Sequence, residues 1–173
     1  MDWSFQGLLL EIEASGLSAF VRQSPSMLGF PTIIALHAIG MGLLAGTNAA
    51  MDFRVFGVAP GIPLSALERL VPVMRWGFWL NAITGVLLFL GWPTKAITNP
   101  VFLLKILLIT VALVNTLYLR KEVQREFAAG AAAASPKAKV LGVVSLALWT
   151  GAVVSGRLLA YTYHYIDASF DPR

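Results

Sequence analysis

The chain has 173 residues, of which 57% are hydrophobic and 13% charged, and its mean hydropathy is +0.74. Soluble domains carry about 25% charged residues, so this composition excludes an independent water-soluble protein as well as a disordered or collagen-like one. The lack of cysteine excludes disulfide scaffolds, cysteine-ligated zinc, iron–sulfur clusters and thiol catalysis, and the net charge of +4 sits beside apolar runs, which points to orientation in a membrane and not to nucleic acid.

Residues 1–26 open with Asp2 and carry Glu11 and Glu13 before their first basic residue, Arg22, which is unlike a signal peptide. Phe5, Leu8, Leu9, Ile12, Gly16, Ala19 and Phe20 recur at helical spacing, with Gln6, Glu11, Glu13 and Ser15 on other faces. This pattern predicts one amphipathic helix lying in the membrane interface and stopping near Pro25.

Four apolar runs follow, over residues 27–51, 71–92, 100–119 and 140–165, and a short tail covers 166–173. Each reaches the roughly 20 residues that a helix needs to cross a hydrocarbon core. Backbone polar groups must be satisfied within each span, so the spans are helices. The predicted fold is all-α: a four-transmembrane-helix bundle preceded by the interfacial helix. Pro60 and Pro63 punctuate the first connection, Pro93 and Pro100 the second, and Gly130 and Pro136 the third. Small residues in the first span (Gly40, Gly42, Ala45, Gly46) and the fourth (Gly151, Ser155, Gly156) suit close helix packing.

Lys and Arg residues set the orientation. Arg54, Arg69, Arg75, Arg120, Lys121, Arg125, Lys137 and Lys139 share the side of the first and third connections, against Arg22, Lys95 and Arg173 on the other. The positive-inside rule then places the first side in the cytoplasm and both termini in the periplasm of a bacterial inner membrane.

Polar residues at membrane depth are functional candidates, because a charge there costs about 2.5–3.5 kcal/mol on insertion scales. His37 lies ten residues into the first span, Lys105 five residues into the third, and Arg157 six to eight residues before the outer end of the fourth. All three fall in the outer half of the bundle, and the spans offer no acid at that level. Two unpaired cations point to an anion: haem propionates, a lipid headgroup or an anionic substrate. The plainer reading is that both snorkel to the outer headgroups. His37 has three readings: an interhelical hydrogen-bonding group, a haem axial ligand, or a proton carrier. His164 is about 15 Å from His37 along the axis, too far to share one iron. Asn81 and Asn115 serve either interhelical hydrogen bonds or the lining of a quinone pocket. Asp52 falls at the cytoplasmic end of the first span and is expected to cap it or to pair with neighbouring spans.

The segments LLLEIEASGLSAFVRQS (residues 8–24), LHAIGMGLLAGTNAAMDFRVFG (36–57), NPVFLLKILLITVALVN (99–115) and LGVVSLALWTGAVVSGRLLAY (141–161) together resemble a family of small bacterial four-span inner-membrane proteins of uncharacterised function. A histidine early in the first span, an arginine at its cytoplasmic end and a lysine opening the third are also similar to HemJ-type protoporphyrinogen oxidases, and more distantly to CopD-type membrane domains. The HemJ resemblance implies haem b, with His37 as iron ligand and Lys105 in the same layout. The histidine near the end of that family's third span is represented here by Asn115 or a neighbour.

Together these readings give the leading expectation: a haem b-binding membrane subunit with His37 on the iron and Lys105 and Arg157 near the propionates. It would carry electrons between a membrane quinone and a periplasmic partner, in a larger complex or a homo-oligomer. The alternatives are a cofactor-free scaffold subunit and, ranked third, a small transporter.

Overall fold

A computed structural model describes residues 5–63, 68–131 and 133–169, with side chains through Thr162 in the last helix. His164 and the tail therefore lie outside the described side chains. The secondary structure of the described residues is all helix, with no strand. Two short helices, α1 (Phe5–Glu13) and α2 (Gly16–Gln23), precede α3 (Phe30–Val55), α4 (Val71–Gly91), α5 (Pro93–Thr98), α6 (Pro100–Ala128) and α7 (Pro136–Ser169). Helices α3, α4, α6 and α7 are long and apolar enough to cross a membrane.

The amino-terminal segment is two helices where one was expected. Ser15 is extended (φ −68°, ψ 153°) and its side chain caps α2 by accepting from Ser18 N at 3.3 Å. Arg22 then folds α2 back onto α1, donating to Glu13 O at 2.7 Å and Glu13 Oε1 at 3.3 Å. The segment is fastened to the bundle as well as amphipathic. Ser18 Oγ donates to Gly91 O at 3.2 Å, Thr94 donates to Glu13, and Val21 is buried against Gly91. Phe5, Leu8, Leu10, Leu17 and Phe20 stay exposed, an apolar surface suited to the interface.

Proline starts each long helix, where the missing N–H costs nothing. Asn99 caps α6 by accepting from Val101 N at 2.9 Å. That helix runs nine residues past the expected end of the apolar run and closes on a Schellman motif: Gly130, at φ 82°, donates to Phe127 O, and Ala131 donates to Glu126 O. Ser135 caps α7 through Ala138 N and is itself held by Glu126, so α7 starts at Pro136 and not near residue 140.

Packing divides the bundle into two tight pairs, α3 with α4 and α6 with α7, joined by α3 against α7. Glycines set the first pair. A Cβ at Gly40 would lie 2.6 Å from Asn81 N, and one at Gly77 would lie 2.8 Å from Leu44 N. Gly42 and Gly46 face open space, so only part of the small-residue patch is contact. The central apolar layer is Met41, Leu44, Ala112 and Trp149. Leu103, Leu107, Val111, Val114 and Leu117 are exposed along α6, as a lipid-facing surface requires.

Candidate functional site

The close α3–α4 crossing places Asn81 and Thr84 against His37. Asn81 Nδ2 donates to the His37 backbone carbonyl at 2.8 Å. His37 Nδ1 lies 3.1 Å from Asn81 O and 3.1 Å from Thr84 Oγ1. Thr84 uses its own proton on Leu80 O at 2.6 Å. On the other edge of the ring, Lys105 Nζ is 3.2 Å from His37 Nε2. An ammonium can only donate, so Nε2 accepts and Nδ1 carries the proton, which it gives to Asn81 O. His37 is therefore a neutral imidazole bridging α3, α4 and α6.

Two glycines make room for this arrangement. A Cβ at Gly85 would stand 3.2 Å from His37 Cε1, and one at Gly156 would stand 3.5 Å from Lys105 Nζ. Helix α7 thus passes close beside the lysine. Among the described residues no carboxylate lies within ion-pair distance of Lys105; Glu13 and Glu122 pair instead with Arg22 and Lys137. Among the described residues, the ammonium of this site meets a neutral imidazole and no anion.

The structure brings together His37 and Lys105 of the four expected site residues. Arg157 is exposed on α7, donating to Tyr161 OH at 3.2 Å and lying over its ring at 5.5 Å. Asn115 is ten residues along α6 from Lys105, about 15 Å away, and donates to Leu141 O at 3.0 Å. Asn81 and Thr84, by contrast, are integral to the site. The sequence signal for them is a stripe of small and polar residues on α4 (Gly77, Asn81, Thr84), all buried on the face toward α3.

A second polar cluster lies toward the other end of α3. Asn48 and Asp52, one turn apart, are 3% and 1% exposed. Thr116 on α6 donates to Asn48 Oδ1 at 2.9 Å, and Asn48 Nδ2 donates to Leu44 O at 2.8 Å. Asp52 is neither a helix cap nor ion-paired: its side chain points inward and is faced by Ser145 of α7. Arg54 turns away and donates to Ile62 O at 2.7 Å.

The donor set suits haem in kind. A ligating histidine typically gives its second ring N–H to a carbonyl, as Nδ1 gives its proton to Asn81 O, and a lysine suits a propionate. Lys105 Nζ, however, occupies the lone pair of Nε2 and would have to release it. Among the described residues no group of three or more His, Asp or Glu is placed to hold a bare metal ion. Comparison with family models, curated proteins and solved structures returns no match, so functional argument here rests on the site itself.

Proposed function

We propose that this multi-pass membrane protein binds an anionic amphiphile beside α3, α6 and α7, with Lys105 as counter-charge and His37 as its hydrogen-bonded partner. The observation that carries this reading is the ammonium of Lys105 at membrane depth with a neutral imidazole, and no carboxylate, against it. A buried cation without an anion is costly, and a ligand that supplies the anion recovers that cost on binding. Lys105 is partly exposed, so a ligand reaches it without unfolding the bundle.

Haem b is the member of this ligand class that the HemJ resemblance implies. His37 would ligate the iron through Nε2, and Lys105, released from His37, would meet a propionate. Bound haem would supply one-electron transfer between quinone and a periplasmic partner. The chain's own contribution is orientation: Asn81 fixes the ring, Thr84 supports it, and Gly85 leaves room for its edge.

The test is a visible spectrum of the detergent-purified protein, oxidised and dithionite-reduced, after expression with ample haem. A Soret band with reducible α and β bands, lost in His37→Ala, is the expected result for haem. A flat spectrum would exclude haem and leave an anionic lipid headgroup as the ligand, with the chain as a cofactor-free membrane subunit.

A further inference from the structure

Asp52 sits fifteen residues from His37 on α3, about 22 Å along the helix, with the apolar layer of Met41, Leu44, Ala112 and Trp149 between them. It belongs to a different site. Its carboxyl is 1% exposed, and Oδ2 has no hydrogen-bond partner. Ser145, 0% exposed, faces it from α7 with its own Oγ unpartnered. Gly142, one turn from Ser145, brings α7 close: a Cβ there would lie 3.9 Å from Asp52 Cβ. Asn48 and Thr116 place two more oxygens one turn away.

Among the described residues no ion pair compensates this carboxyl. From α7 it meets Ser145 and Gly142; from α6 the polar groups at this level are Thr116 and Asn115, the latter committed to Leu141 O, and Arg120 lies one turn further along, partly exposed. On α4, Arg75 is exposed, as is Arg69 just before that helix, and Arg54 of α3 is committed to the carbonyls of Ile62 and Pro60. Lys137 pairs with Glu122 at 3.0 Å. An ionised carboxylate so enclosed is strongly disfavoured unless a cation joins it. The Ser145 hydroxyl offers this carboxylate a hydrogen bond but no charge, and a small cation held between the two side chains would supply that charge. A proton on the carboxyl provides a donor between them, and a sodium ion takes hard oxygen ligands.

We propose that Asp52 and Ser145 form a buried cation-binding site, which takes up and releases a monovalent cation, a proton or sodium, from the aqueous phase. The site is independent of His37 and Lys105 and of any ligand there.

Infrared difference spectroscopy on the full-length protein in liposomes tests this. Spectra are compared between acid and alkaline buffers, and between sodium and choline at equal ionic strength. The expected result is a protonated-carboxyl C=O band that appears on acidification and vanishes in Asp52→Asn. If sodium competes, it removes that band at fixed pH, whereas choline does not. Ser145→Ala, which keeps the acid, should move the midpoint of the band's titration. The proposal is overturned if Asp52→Asn leaves both difference spectra unchanged, or if the Asp52 band persists at every pH and salt composition.

Discussion

Lys105 Nζ lies 3.2 Å from His37 Nε2, sixty-eight residues away in the chain, and this contact ties the first membrane helix to the third. It fixes the imidazole as a neutral Nδ1–H tautomer and leaves the ammonium without a counter-charge. With only two histidines in the chain, this tautomer can be read directly. In ¹⁵N-histidine-labelled protein, His37 should show a protonated Nδ1 and an unprotonated Nε2 at neutral pH. Lys105→Met should alter the Nε2 resonance while leaving Nδ1 bonded to Asn81. An Nε2–H tautomer would contradict the assigned roles.

The α3–α4 crossing should tolerate no added bulk. Gly40→Val puts side-chain atoms against Asn81 N and Gly77 O, both backbone, and overpacking of this kind costs about 1–3 kcal/mol. The melting temperature in detergent should fall accordingly. Gly42→Ala, where nothing lies within 4 Å, should stay within about 0.5 kcal/mol of the parent. Equal effects at the two positions would mean that the crossing is not at Gly40.

Asn48 and Thr116 should be energetically coupled. A double-mutant cycle with Asn48→Ala and Thr116→Val, read by unfolding in mixed micelles, should give about 0.6 kcal/mol, the mean for interhelical hydrogen bonds in membranes. Strict additivity would remove this bond from the account.

The amino-terminal clip should open separately from the bundle. Arg22→Ala removes both bonds to Glu13, and limited proteolysis should then cut near Ala14–Ser15 faster than in the parent. The bundle's melting temperature should hardly change. A matching loss of bundle stability would show that the clip is part of the core.

The four spans were legible because length and apolarity alone define them, and proline marks where each begins. The break at Ser15 was not, because it depends on Arg22 reaching back to Glu13, a contact that helical periodicity does not encode. The nine extra residues of α6 were hidden because they are polar, and are held by a Gly130 stop and a Ser135–Glu126 clamp instead of by lipid. Of the site, His37 and Lys105 could be read from depth alone. Arg157 could not be separated from them by depth: it shares their half of the bundle but points outward to Tyr161. By position alone Asp52 reads as an end cap or as a partner of neighbouring spans, because it lies near the helix terminus. Gly142 and Ser145 on a distant segment are what enclose it.

The most direct test of the central claim is the content of tightly held anionic amphiphile, haem or acidic phospholipid, extracted from the purified parent and from Lys105→Met and quantified by mass spectrometry. The account predicts a stoichiometric anionic species in the parent that the variant lacks, with neutral lipids equal in both. Equal retention of every anionic species by the two proteins would contradict it.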